Sequence, residues 1–251
     1  MLELTPSFFA VAVPAVIFAG ISKGGFGSGA AFASSTILAL FLPPGIALGV
    51  MLPLLMLIDV ASLRPYWRRW SWPDARVLLL GGVPGVILGG LLYQVTNDDV
   101  LRFIIGMVAL AFVAWQAALA RGWVKLGQQP LPTGMGYVLG VLVGFTSFVS
   151  HAGGPPAAVY LLGRKLDKTT YQASTVLIFW IINILKFVPY AFLGIFTWQT
   201  LLADLFLVPA ALIGTWLGVK AHRMIPERLF FAVTYVLLTA TGVKLIWEAL
   251  A

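Results

Sequence analysis

The chain of 251 residues is 60% hydrophobic and only 10% charged, with a formal net charge of +7 and no cysteine. So few charged residues cannot cover a water-soluble protein, and the composition predicts a protein that crosses a membrane several times. Without cysteine there are no disulfides or thiolate metal sites, and two histidines offer little for a metal centre, so we expect no cofactor. The basic residues lie in loops, where membrane topology explains them without nucleic acid as a partner.

Apolar segments that are long enough, or nearly long enough, to cross about 30 Å of hydrocarbon follow one another along the chain. They are residues 45–63, 75–95, 100–119, 169–185, 201–219 and 229–247. A pair of apolar segments divided by glycines precedes each group of three. The sequence therefore predicts an all-α polytopic membrane protein with two glycine-broken pairs, each followed by three transmembrane helices in the lipid bilayer.

The first break is the stretch GISKGGFGSGAAF, residues 20–32, with Lys23 at membrane depth. An ionisable residue there is costly and usually faces a cavity or a partner. Glycines free backbone N–H groups, and the helix that follows would point its positive dipole end into the cavity. These features favour an anion site; the alternative is that Lys23 reaches an interface or pairs with Asp59. The predicted substrate-binding residues here are Ser22, Lys23, Gly24, Gly25 and Ser28.

The second break, FVSHAGGPPAAVY, occupies residues 148–160. His151 can donate a hydrogen bond to an anion or carry a proton near neutral pH, whereas the simpler alternative is a hydrogen bond to a carbonyl. About nine apolar residues separate Gly154 from Arg164, too few to cross as a helix, which favours a re-entrant hairpin over two short spans. The predicted site residues are Ser150, His151, Gly153 and Gly154.

Polar residues also interrupt the unbroken helices. Asp59 and Asn183 would frame a central site, although Asp59 could instead neutralise Lys23 or reach the basic loop. Lys186 follows Asn183 on the same helix face, where snorkelling is the simplest interpretation and guiding an anion the other. Asp59, His151 and Lys186 are the coupling or gating candidates. Ser34 and Gln172 would supply neutral donors, while Asp204 is expected at the interface.

Two segments about 125 residues apart resemble each other: LGGVPGVILGGLL at 80–92 and FLVPAALIGTWLG at 206–218. They predict a first repeat over residues 1–120, a linker over 121–132 and a second repeat over 133–251. Equivalent loops carry opposite patterns of basic residues, as inverted-topology repeats should. The linker would then be cytoplasmic, with both termini outside. Small residues four apart, including Gly81, Gly85, Gly89, Ala210 and Gly214, predict close helix packing.

Four segments together resemble the sulfite exporter TauE/SafE family of membrane permeases over nearly the full length. They are GISKGGFGSG at 20–29, LPLLMLIDVASL at 52–63, VPGVILGGLL at 83–92 and GGPPAAVYLL at 153–162. The resemblance implies a transporter of small sulfur-containing anions, such as sulfite, thiosulfate or organosulfonates, in a prokaryotic inner membrane. It places the family's central region at Lys23, Gly24, Gly25, Gly153 and Gly154.

The leading hypothesis is a secondary transporter, an exporter by family analogy, working by alternating access with protons as the candidate coupling ion. One rival is an anion channel built on the same electropositive breaks. The other is an intramembrane enzyme, for which Asp59 with His151 is the one candidate pair, and no spacing recommends it. The sequence leaves the oligomeric state open.

Overall fold

The computed structural model describes residues 2–26, 30–124, 130–221 and 227–251. Within these ranges the chain is helical, with no β-strand and with ten α-helices. The helices are α1 (Pro6–Ile21), α2 (Phe32–Leu38), α3 (Pro44–Leu63), α4 (Trp72–Val95), α5 (Asp98–Ala120), α6 (Thr133–Ser150), α7 (Gly154–Gly163), α8 (Lys168–Phe192), α9 (Trp198–Ala221) and α10 (Glu227–Leu250). One π-helical turn, Ser22–Phe26, continues α1.

Polar side chains set the starts of several helices. The hydroxyl of Thr5 accepts from the backbone N–H of Phe8, and Asn97 accepts from Val100 in the same way. Asp167 accepts from the backbone N–H groups of Thr169 and Thr170 at the start of α8. Hydrogen bonds from Thr170, the side chain first, hold the pKa of the Asp167 carboxyl below its usual range. Such caps satisfy backbone donors that the first helical turn leaves unpaired.

Eight helical segments of the described chain are long and apolar enough to cross a membrane. They comprise the six predicted spans together with 6–26 and 133–150, the first arms of the two glycine-broken pairs. The second arms are short, since α2 has 7 residues and α7 has 10. At 1.5 Å per residue they measure about 10 and 15 Å, well short of a bilayer.

Both broken pairs form helical hairpins. At the base of α6–α7, the backbone N–H of Leu131 donates to the carbonyl of Gly163. At the base of α1–α2, Leu42 lines the same surface hollow as Thr5 and Ile46. Ile46 belongs to the first turn of α3. Arg164, beside the second base, pairs with Asp74 in the first turn of α4, which follows the other end of α3. The two hairpin bases therefore lie at opposite ends of α3.

Glycines bring the helix backbones together, as predicted. The closely packed pairs are α4 with α6, α1 with α9, and α5 with α10. A Cβ atom added at Gly85 or Gly144 would fall within 3 Å of the backbone across the α4–α6 contact. One added at Gly214 would lie 2.5 Å from the Ile17 carbonyl oxygen of α1. Any side chain at these positions would force the helices apart.

The charges of the molecule are segregated between its two ends. We call the end at which α3, α5, α7 and α9 finish the basic end, and the opposite one the far end. The basic end carries Arg64, Arg68, Arg69, Arg76, Arg121, Arg164, Lys165, Lys168 and Lys220, with only Asp74 and Asp167 as acidic neighbours among the described side chains. The far end carries acidic as well as basic side chains, namely Glu3, Asp98, Asp99, Arg102, Lys244 and Glu248.

Candidate functional site

The tip of the first hairpin is the π-helical turn Ser22–Phe26, which packs against α9. A Cβ atom at Gly24 would lie 2.8 Å from the carbonyl oxygen of Thr215, and one at Gly25 would collide with that of Gly218. These two glycines therefore allow the tip to approach α9, whatever else they do. Ser28, also predicted in this region, lies outside the described residues.

Lys23 reaches from this tip to the middle of the bundle. Its Nζ lies 2.6 Å from Asp59 Oδ1, while Asp59 Oδ2 accepts from Asn183 Nδ2 at 2.7 Å. All three side chains are buried. The backbone carbonyl of Lys23 accepts from Gln172 Nε2 at 2.6 Å. Of the alternatives that the sequence left open, the pairing of Lys23 with Asp59 is therefore the one realised.

The tip of the second hairpin is formed around His151. This residue ends α6 in the left-handed conformation, with φ of 56°, and its N–H donates to the carbonyl of Ser147. Glycine is the usual residue in that conformation. A residue with a side chain is less stable there by of order 1 kcal/mol, and contacts with its surroundings must offset this cost. Gly153, two residues on, packs where a Cβ atom would meet the ring of Phe179 at 2.8 Å.

The His151 ring is held on both sides. Lys186 Nζ lies 2.9 Å from His151 Nδ1 and donates to the Ser147 carbonyl at 2.9 Å, while His151 Nε2 lies 3.2 Å from the carbonyl of Leu48. An ammonium group only donates and a carbonyl only accepts. With Lys186 charged, Nδ1 is therefore the acceptor and Nε2 carries the hydrogen, which assigns a neutral histidine.

Lys186 is fully buried, so the interpretation that it snorkels to solvent is wrong. Its hydrogen-bond partners are a carbonyl oxygen and a ring nitrogen, both neutral. Within the part of the chain that the structure describes, no carboxylate lies within 4 Å of its Nζ. Lys23, by contrast, is neutralised by Asp59.

The two hairpin tips meet through α8, because Asn183 and Lys186 are neighbours on one face of this helix. Asn183 binds the Lys23–Asp59 pair and Lys186 binds His151. We call these five residues the central network. A second link joins the hairpins directly, since Ser35 Oγ donates to the carbonyl of Ser150 at 2.9 Å. With a neutral histidine and a charged Lys186, the central network carries one net positive charge.

Other predicted residues lie near the tips in different roles. Ser34 is buried and its hydroxyl has no hydrogen-bond partner, while the Ser150 hydroxyl bonds the Thr146 carbonyl of its own helix. Ser22 and Gly154 are buried at the two breaks. Ser34 was the residue predicted from the sequence, whereas the structure shows that its neighbour Ser35 is the one that contacts the other hairpin.

Three further residues were missed or misplaced from sequence. The Tyr66 hydroxyl donates to the Gly24 carbonyl at 2.8 Å, fixing the first tip from the α3–α4 loop. Ser62 lies one turn beyond Asp59 and is buried with no partner for its hydroxyl. Asp204, expected at the interface, is only 7% exposed, so its side chain is covered by protein.

Eight span-length helices, two helical hairpins and a charged centre define a multi-pass membrane protein of the transporter type. The chain belongs to the sulfite exporter TauE/SafE family, whose family model matches residues 12–245. The match confirms the resemblance found in the sequence and includes both breaks. No curated protein and no solved structure matches the chain. Membership implies a membrane transporter of the sulfur-anion exporter type, in keeping with the expectation that the chain is not an enzyme.

Proposed function

We propose that the chain is a secondary transporter that exports a small sulfur-containing anion, such as sulfite, thiosulfate or an organosulfonate. The anion would bind in the central network, between the tips of the two hairpins. The observation that carries this proposal is Lys186, a fully buried amino group with neutral partners only, which a bound anion would hold in its charged form.

Charge bookkeeping supports an anionic substrate. A buried charge is costly unless it is paired, and Asp59 already serves Lys23. An oxyanion beside Lys186 Nζ would supply the missing negative charge and accept charge-assisted hydrogen bonds. The free hydroxyls of Ser34 and Ser62 are available as additional neutral donors if the tips rearrange around the anion.

Burial of the central network favours alternating access. Its side chains are at most 6% exposed, so an anion reaches them only if a tip moves. The two hairpins have their bases at opposite ends of α3, which suits them to act as separate gates. Asp59 and Lys186 would then gate the site by exchanging protein partners for substrate.

The packing supports the proposal that the halves are inverted repeats, with residues 121–132 as the linker. If α1–α5 correspond to α6–α10, the contact of α4 with α6 is equivalent to that of α9 with α1. The contact of α3 with α9 is likewise equivalent to that of α8 with α4, and all four occur. Positive residues accumulate in cytoplasmic loops, so we assign the basic end to the cytoplasm and both termini to the outside of the inner membrane. Protons are the coupling ion that we propose.

Counterflow in proteoliposomes tests the transport proposal. Vesicles loaded with unlabelled sulfite, thiosulfate or sulfoacetate should accumulate the same labelled anion, and Lys186→Met should slow this roughly tenfold or more. Lys244→Met removes an exposed cation at the far end and should leave the rate unchanged. Saturable counterflow of a sulfur anion supports a transporter, whereas a voltage-driven conductance without exchange would indicate the channel alternative. Sulfur-anion movement equal to that of empty vesicles would contradict both.

A further inference from the structure

Asp204 is a buried carboxyl group outside the central network. It lies in the second turn of α9, about 9 Å along the helix from Trp198. The residue is 7% exposed, and neither carboxyl oxygen has a hydrogen-bond partner. Among the described residues, no cation lies within 4 Å of it.

The surroundings of Asp204 are apolar. Ala203 and Leu207, on the same buried face of α9, pack in one cluster with Phe8 of α1 and Met51 of α3. The elements that pack most extensively on α9 are α1, α3 and the π-helical turn. The same cluster also includes Ile105 of α5 and Leu245 of α10, whose helices carry Asp98, Asp99 and Arg102, and Lys244 and Glu248, at the far end. Helix α1 contains no titratable residue, α3 contains only Asp59, and the turn contains only Lys23.

Those two titratable groups cannot serve Asp204. Lys23 and Asp59 pair with each other, and the tip that carries Lys23 packs beside Thr215, about 16 Å further along α9. The remaining charged residue of α9, Lys220, lies further still toward the basic end. No described cation on these elements is therefore both unpaired and close enough to serve Asp204 as a counter-charge.

An ionised carboxylate in such a place is expensive, whereas the neutral acid costs much less. A metal ion would need several further ligands, and the described residues hold no group of three metal-binding side chains. A proton neutralises the carboxylate without help from any other residue. No other described carboxyl group is both buried and unpartnered in this way. Each of them forms an ion pair, caps a helix or is exposed: Glu3, Asp59, Asp74, Asp98, Asp99, Asp167 and Glu248.

We infer that Asp204 is the proton-binding group that couples the proton gradient to transport, an inference that rests on the proposed function for its purpose. With the proton on one carboxyl oxygen, α1, α3 and α9 pack as seen. Loss of the proton to water leaves a carboxylate that needs hydration, so the contact at the far end must open. Proton binding from the outside thereby favours closure of that end. Release of the same proton to the cytoplasm, once the basic end is open, leaves the carboxylate that reopens the far end, so each cycle carries one proton inward as one anion leaves.

Stability against pH tests proton binding without any substrate. Asp204→Asn keeps the side-chain size and is neutral at every pH, whereas Asp98→Asn changes an exposed carboxyl at the same end. Wild type and Asp98→Asn should lose melting temperature as the pH rises, because the ionised Asp204 disrupts the packing, and Asp204→Asn should lose less. Infrared difference spectra on a pH jump should show a protonated carboxylic acid band that Asp204→Asn lacks. Equal pH profiles together with an unchanged band would overturn the inference.

Coupling is tested by flux of labelled thiosulfate, sulfite and sulfoacetate in the same proteoliposomes. Asp204→Asn should lose at least tenfold of the transport driven by an imposed pH gradient, because it cannot bind and release a proton, whereas Asp98→Asn should keep that transport. Gradient-driven transport equal to that of wild type would overturn the coupling role while leaving the transport proposal intact. Absence of counterflow in the wild type would instead refute the transport proposal, and the stability and infrared results would still decide whether Asp204 holds a proton.

Discussion

The paired charges of the central network are the residues on which the fold and the proposed site both depend. Lys23 and Asp59 are far apart in the sequence, one in the tip of the first hairpin and the other in α3. Their side chains nevertheless lie 2.6 Å apart, and both are buried. Removing one member of such a pair leaves the other as an uncompensated buried charge, which is worse than losing both.

Asp59→Asn should therefore destabilise the protein by about 3 kcal/mol, because Lys23 loses its counter-charge in a dry environment. Unfolding by denaturant in detergent would measure the change in the free energy of unfolding. The double variant Lys23→Met with Asp59→Asn removes both charges and should recover most of the loss. Strictly additive effects of the two substitutions would mean that the ion pair contributes nothing.

All five members of the central network were identified from the sequence, and the pairing of Lys23 with Asp59 was one of the alternatives, but the other contacts between them were not revealed. Spacing puts Asn183 and Lys186 on one face of α8, and cannot say whether that face looks inward. Lys186 was therefore interpreted as reaching solvent, although it is fully buried. The burial of Asp204 was missed for a related reason: its position along α9 gives its distance from the helix end but not whether α1 and α3 pack over that face.

Helix contacts made by glycine decide how closely the hairpins can pack on the rest of the bundle. In α6, Gly144 faces the backbone of α4 at Gly82, whereas Gly134 in the first turn has no atom within 4 Å of an added Cβ. The same helix thus contains one crowded glycine and one open glycine. Substitution by alanine adds the same methyl group at both positions, so the two variants can be compared directly.

Gly144→Ala should destabilise the protein by about 1–3 kcal/mol, because α4 and α6 must move apart to admit the new atom. Gly134→Ala is the matched control and should be neutral or stabilising by a few tenths of a kcal/mol, since alanine is the better helix former. Thermal unfolding in one detergent would compare them. Equal melting temperatures for the two variants would refute the role given to the α4–α6 contact.

The existence of the elements was largely predictable from the sequence, whereas the exact breaks were not. Apolar runs of sufficient length predict the spans, and glycine and proline residues predict the hairpins. The π-helical turn, however, extends the first arm of the first hairpin to Phe26, and the first arm of the second hairpin, α6, ends at His151 rather than at a glycine. Both depend on tertiary partners, α9 for the first tip and Lys186 for the second, that local patterns do not specify.

At the scale of the whole molecule, the separation of basic residues at one end gives a testable orientation. The chain has no cysteine, so single-cysteine variants can be made without background. A membrane-impermeant maleimide added to intact cells should label Asp98→Cys at the far end and spare Arg121→Cys at the basic end. Lysis should make both reactive. If Arg121→Cys alone were labelled in intact cells, the assigned orientation would be wrong and the basic end would lie outside.

The measurement that tests the central claim most directly is the melting temperature of the purified protein in sulfite, thiosulfate, sulfoacetate and chloride. A ligand that binds only the native state raises apparent stability by mass action. We predict that at least one sulfur anion, and not chloride, stabilises the wild type and Lys244→Met, and that Lys186→Met abolishes this shift. Equal stabilisation of Lys186→Met would contradict an anion site at this lysine, and the lack of a selective shift would contradict the proposed class of substrate.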